Sequence, residues 1–149
     1  MPVGEFCNRE VVIADLKTSV LDAAGLMRQY HVGNVVVVDE VDGMRVPIGI
    51  VTDRDIVMEV VVNKLDATNI TVGEIMGDRL TTVQATDGLF ETIQLMRRKG
   101  VRRVPVVDER CALAGILALD DVVALLAEEM NEIAQIITHE QVHEARTRR

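Results

Sequence analysis

The sequence predicts a mixed α/β fold of the α+β kind: two copies of one βαββα unit packed about a pseudo-twofold axis, followed by an extended C-terminal helix. Three observations carry this expectation. The chain repeats itself at a fixed offset, each copy alternates helical spacing with short β-branched runs, and an apolar stripe continues well past the end of the second copy.

The repeat is plain when LMRQYHVGNVVVVDE from Leu26 is set against LMRRKGVRRVPVVDE from Leu95, an offset of 69 with 9 identities in 15 positions. The same offset carries Val3-Gly4-Glu5 onto Val72-Gly73-Glu74, so the first copy begins almost at Met1 and a stand-alone pair is expected. Gly49-Ile50 matches Gly115-Ile116 and Asp55 matches Asp121 at an offset of 66, which places a three-residue shortening in a loop, where length differences cost little. The boundaries that follow are 1–62 for the first copy, 63–70 for a polar linker, 71–128 for the second copy and 129–149 for a helical tail.

Within the first copy, Val20, Ala23, Ala24, Met27 and Tyr30 follow helical spacing, with Thr18 or Ser19 available to cap the start. Asp87, Leu89, Ile93 and Met96 repeat the pattern. The runs 35–38 and 48–51, separated by the turn-forming VDG, are short and uniformly apolar, as buried strands are. Their partners are 104–107 and 114–117. A polar turn, TDRD or ALDD, then opens a helix expected to begin near Ile56 or Val122, and Thr71 with Glu74 offers a capping box to a one-turn helix.

Composition excludes several classes of function. At 149 residues and 48% hydrophobic, the chain can bury a real core. Its net charge of -8 argues against nucleic acid as a partner, because affinity for phosphate backbones accumulates from Lys and Arg. No apolar run approaches a membrane span, and the start MPVGEF has neither the basic nor the apolar part of a signal peptide, so a cytoplasmic location is expected. Cys7 and Cys111 belong to no CxxC pair, and reduced thiols are expected.

The strand VPVVDE, the segment GIVTDRDIV and the two-copy layout resemble a tandem pair of CBS domains, often called a Bateman module, over about residues 1–128. The resemblance implies a non-catalytic regulatory module whose paired copies form clefts for AMP, ADP, ATP or another adenosyl compound such as S-adenosylmethionine or an NAD-type dinucleotide. It implies no obligatory cofactor. The other reading of the same features is a ligand-free structural or adaptor protein acting through protein contacts.

The chemistry can be argued beside the resemblance. A carboxylate at Asp55 can accept hydrogen bonds from both hydroxyls of a ribose, each charge-assisted bond contributing about 1.5–3 kcal/mol. Thr52 can offer a hydroxyl to ribose or phosphate, and Arg54 can reach a phosphate; simple helix capping is the competing role for Thr52 and Asp55. In the second copy Ala118 replaces Thr52 and Asp120 replaces Arg54, leaving only Asp121 of the signature. That copy instead carries Arg97, Arg98, Lys99, Arg102 and Arg103 within ten positions. Arg97 and Arg98 suit a solvated helix face, whereas Arg102 and Arg103 directly precede a buried strand and are candidates for phosphate. Gly33 and Asn34 hold the matching uncharged positions in the first copy, so two unlike clefts are expected, each lined by both copies. With aromatic content at 2%, aliphatic walls are expected to receive adenine: Val12, Ile13 and Ala14 in one copy, Thr81, Thr82 and Val83 in the other, and Pro105 beside the arginine pair.

Residues 139–143 read HEQVH, the spacing of a zinc protease helix. Catalytic zinc also needs a third protein ligand, which the tail does not supply, so a solvated helix end is expected and no metal site. Leu125, Leu126, Met130, Ile133, Ile137 and Val142 fall near helical spacing on a helix expected from about Asp121 to Ala145. An apolar stripe that long needs a partner, and a homodimer is expected, with this helix either in the interface or presented to an effector protein in trans.

Overall fold

The computed structural model describes residues 1–148 and divides into two compact units, the first spanning Met1–Leu117 and the second beginning at Ala118. In the first unit the βαββα order is present in the first copy as β1 (Ile13–Ala14), α1 (Val20–Tyr30), β2 (Asn34–Val41), β3 (Met44–Thr52) and α2 (Asp53–Ile56), which runs on through a π-helical turn at Val57–Val61. After a short α3 (Val72–Ile75), the second copy gives β4 (Val83–Gln84), α4 (Leu89–Lys99), β5 (Arg103–Val107) and β6 (Leu113–Ala118). The second unit is one helix, α5 (Leu119–Thr147).

Two three-stranded sheets result, ordered β1-β2-β3 and β4-β5-β6. In the first, β1 runs parallel to β2, and β2 pairs antiparallel with β3 through a hairpin whose two loop residues, Asp42 and Gly43, both adopt positive φ. That is the turn whose twist matches paired strands, and it lets β2 and β3 extend into the exposed polar residues beyond the apolar runs read from sequence. Val37 pairs with Gly49 but Val38 with Pro47, which leaves Ile48 as the extra residue of a β-bulge. Ile48 therefore packs with Val35, Val37 and Val51 against α1, while Ile50 faces the other way with Val36 and Val38. In the second sheet β4 starts at Val83, paired with Val106. Pro105 has no N–H to match the bond that Val36 donates to Val12 in the first copy, at 2.9 Å.

The two copies are tied by an exchange of their leading segments. The Val3 N–H donates to Asp87 at 2.8 Å, the Gly4 N–H to Ala85 at 2.9 Å, and the Leu89 N–H to Met1 at 2.9 Å. At the 69-residue offset the same bonds recur: Val72 to Thr18 at 2.8 Å, Gly73 to Leu16 at 3.3 Å, and Val20 to Ile70 at 2.8 Å. Each copy thus begins on the other. Val3 and Val72 are both fully buried, and Val72, Ile75 and Met76 complete the hydrophobic cluster of the first copy. A second cluster joins Val36 and Val38 of β2 to Ile116 of β6, with Val11, Ile13, Ile50 and Leu113 packed around it, forming the seam between the sheets.

Several local expectations shift. Both helices after the second strand start three residues earlier than expected, at Asp53 and Leu119, because the aspartates of TDRD and ALDD lie in the first turn, where carboxylates favour the positive end of the helix dipole. Ser19 caps α1 by accepting the Asp22 N–H at 3.0 Å, but Thr71 makes no side-chain cap bond, so the expected capping box at α3 is absent. In the linker, the Asp66 carboxylate accepts from the Thr68 hydroxyl at 2.7 Å and the Thr68 N–H at 2.9 Å, and these bonds hold it below the usual carboxylate range.

The leader exchange makes a testable demand on two glycines. A Cβ on Gly4 would lie 2.9 Å from both the Cβ and the carbonyl oxygen of Ala85, and one on Gly73 would lie 2.8 Å from the Leu16 carbonyl oxygen. Gly4→Ala and Gly73→Ala are each expected to lower stability by about 1–3 kcal/mol in thermal or urea unfolding. Gly25→Ala, in the middle of α1 with open space around it, is expected to raise stability by about 0.5–1 kcal/mol. Equal effects at the three sites would refute the close-packed exchange.

Candidate functional site

The turn from β3 into α2 is built by a reciprocal cap. The Thr52 Oγ1 accepts the Asp55 N–H at 3.1 Å, and the Asp55 Oδ2 accepts the Thr52 N–H at 2.8 Å, while the Asp53 N–H donates to the Gly33 carbonyl at 2.9 Å. The capping role weighed against ligand contact is therefore real, but it does not exhaust either side chain. A carboxylate has about four acceptor positions and a threonine hydroxyl keeps its own proton, so Asp55 Oδ1 and the Thr52 O–H remain available. Both residues are half-buried, which fixes their orientation while leaving them reachable.

Against this turn stands the loop between α4 and β5. Gly100 closes α4 in the left-handed conformation (φ 65), and the chain enters β5 through Val101, Arg102 and Arg103. The two segments enclose a cleft of about 500 Å³ lined by Ile50, Thr52, Asp53, Arg54, Asp55, Gly100, Val101, Arg102 and Arg103. Gly33 adjoins it: a Cβ there would lie 3.2 Å from Asp53 Oδ2 and 3.3 Å from an Arg103 guanidinium nitrogen. The ribose-type signature of the first copy and the arginine pair of the second, expected to mark two unlike clefts, face one space. Three guanidinium groups and two carboxylates meet there, a balance suited to a ligand that is anionic at one end and hydroxylated at the other.

The other candidates are dispersed. Val12 and Ile13 line a second cleft of about 520 Å³ with Val11, Leu26, Tyr30 and Val32. Its wall includes an aromatic ring, 55% exposed, where only aliphatic walls were expected. Ile13 and Ala14 also border a cleft of about 580 Å³ that mixes Lys17 and Arg45 with Asp15, Asp39 and Glu40. It is the larger space, but its charges alternate and it holds neither Thr52 nor the arginine pair. Val83 lines a smaller cleft with Asp87, Glu91 and Arg98, Thr81 and Thr82 line none of these four, and Pro105 is buried within β5. Asn34 opens β2, paired with Thr52. Asp121 belongs to the second unit, where its Oδ2 accepts the Ala118 N–H at 3.3 Å. Asp53 was missed in the sequence, although its place between Thr52 and Arg54 in the TDRD turn was a usable signal.

Arg97 and Arg98 are exposed in the last turn of α4, as a solvated face requires. His139, Glu140 and His143 are exposed on α5, and among the described residues no three potential metal ligands come together. No helix among the described residues is long and apolar enough to cross a membrane.

A duplicated α/β unit with a polar cleft shared between its copies is the architecture of a tandem domain pair. The CBS domain family model matches residues 3–62 and 72–128, and the chain belongs to that family. It is 30% identical to the CBS domain-containing protein YhcV of Bacillus subtilis, across 95% of this chain and 98% of that one. A crystal structure of Hypoxic Response Protein I with two coordinated zinc ions superposes with a TM-score of 0.72 at 28% identity, covering 83% of this chain and 98% of the other. The fold is shared also by the CBS domain pair of protein MJ0100, solved with 5′-methylthioadenosine and S-adenosyl-L-methionine, with a TM-score of 0.75 at 23% identity over 87% and 98% of the chains.

The double duty of the β3–α2 turn separates two substitutions. Asp55→Ala removes the acceptor for the Thr52 N–H and is expected to cost about 1 kcal/mol in thermal unfolding. Asp55→Asn keeps an acceptor oxygen and is expected to hold most of that stability. A loss as large in Asp55→Asn as in Asp55→Ala would show that the cap depends on charge rather than on the hydrogen bond.

Proposed function

We propose that this chain is a non-catalytic regulatory module that binds an adenosine-containing ligand, AMP, ADP, ATP or another adenosyl compound, and passes its occupancy to a partner in trans, most simply as a homodimer. The observation that carries the reading is the convergence of Thr52, Arg54 and Asp55 with Arg102 and Arg103 on one cleft of about 500 Å³, within the size range of small-molecule sites. In this reading the free Asp55 oxygen and the Thr52 hydroxyl hold the ribose, and Arg102 and Arg103 meet phosphate or another anionic group. The adenosyl ligands in the MJ0100 structure support the ligand class on a shared fold.

Because the site draws on both copies, ligand binding strengthens the tie between them. A ligand can shift the chain between two arrangements only by its difference in affinity for them.

Calorimetric titration and thermal shift with AMP, ADP, ATP, S-adenosylmethionine and adenosine test the assignment. At 100 times its dissociation constant the preferred ligand is expected to stabilise the chain by about 2.7 kcal/mol, a rise in Tm of several degrees. Asp55→Asn is expected to weaken every adenosyl ligand about tenfold. Arg103→Ala is expected to weaken phosphorylated ligands about tenfold while leaving adenosine nearly unchanged. No response to any of these compounds, or equal affinities in wild type and Asp55→Asn, would refute the adenosine reading and leave the adaptor role in its place.

A further inference from the structure

The second unit carries a pattern that the ligand cleft does not use. Along α5 the exposed apolar residues Leu119, Val123, Leu126, Met130, Ile133 and Ile137 succeed one another at steps of 4, 3, 4, 3 and 4, and each is 40–67% exposed. This is a heptad seam, with Val123, Met130 and Ile137 in the a positions and Leu119, Leu126 and Ile133 in the d positions. A period of 3.5 residues fits a second helix of the same period, because each side chain must enter a hole formed by four residues of the facing helix. We infer that α5 is a self-association element, which pairs in parallel through this seam with α5 of a second copy of the chain.

The partner and the direction follow from residues on the helix. Val and Ile at two of three a positions with Leu at two of three d positions favour a parallel two-stranded coil. Val122, the first flanking residue, is already buried at 4% exposure, and in that arrangement the remaining flanking pairs set Glu129 toward Ala134 and Ile136 toward Gln141, with no like charges opposed. An antiparallel pair centred on the seam would set Glu129 against its own copy. The small Ala127 and Ala134 at the e positions allow close approach, and Ile136, 65% exposed, widens the apolar strip. The seam stops where Glu140 and Glu144 take the next d and a positions, so the coil is confined to 119–137. Residues 129–148 lie outside the CBS domain match, so most of the seam's second half is an addition to the family unit.

This deepens the homodimer reading above by naming the surface that holds it. Sedimentation equilibrium of the full chain across micromolar concentrations is expected to give twice the 16.5 kDa chain mass. Ile133→Glu is expected to raise the dimer dissociation constant at least 100-fold with helicity by circular dichroism retained, and Gln135→Glu, off the seam, to leave it unchanged. In a Cys7→Ser, Cys111→Ser background, Ile137→Cys is expected to form a disulfide-linked dimer on oxidation, because only a parallel pair sets position 137 beside itself. A dimer that survives Ile133→Glu but dissociates in Val61→Glu, which changes the exposed apolar turn after α2 (Val61 is 62% exposed), or one in which Ile137→Cys does not cross-link, overturns the parallel seam and leaves the homodimer standing. A monomeric wild-type chain overturns both.

Discussion

Six backbone hydrogen bonds, three in each direction, exchange the opening segments of the two copies, and the rest of the first unit depends on them. The donors at Val3, Gly4 and Leu89 and at Val72, Gly73 and Val20 bind carbonyls of the opposite copy, so the tie tolerates most side chains but requires close approach at Gly4 and Gly73. Its energetic weight comes from what it buries. Val3 and Val72 are fully enclosed, and the cluster around Val35, Val37 and Val51 is completed by Val72, Ile75 and Met76 from beyond the linker. Neither copy owns a whole core. A second constraint works on the other face of β2, where Ile50, in register with Val36, joins Val36, Val38 and Ile116, while the bulge turns Ile48 to the opposite face.

Much of this order was legible in the sequence. Duplication showed that two like units were present, and helical spacing separated α1 and α4 from the β-branched runs around them. What duplication could not show is pairing: Val3-Gly4-Glu5 and Val72-Gly73-Glu74 align with each other, yet neither packs on its own copy. Helix starts were misplaced for a local reason, since the aspartates of TDRD and ALDD suit a turn and a first helical turn equally well. The missing cap at Thr71 has the converse cause, because residue types permit a capping box but only geometry makes one.

The candidate site divides the same way. Thr52 and Asp55 were visible through their spacing, and Arg102 and Arg103 through a basic cluster in an acidic chain. That they face one cleft depends on Gly100 ending α4 beside the β3–α2 turn, a relation between residues nearly fifty positions apart. Val12, Ala14 and Val83 were chosen as flanking walls, but they border other clefts than the one at the capped turn. Tyr30 escaped notice because its helical spacing pointed to the core, whereas its ring lies 55% exposed beside Val12 and Val32.

The crossed opening segments also bear on how such a chain can arise. Two separate copies of a single repeat, each lending its first residues to the other, would make the same six bonds and the same pair of buried valines. The linker adds covalent continuity to an arrangement that is already that of a domain-swapped dimer. Joining the halves in one chain frees them to diverge: once each can no longer meet an identical twin, one can keep the threonine while the other gathers arginines, and two like turns come to face one cleft from different sides.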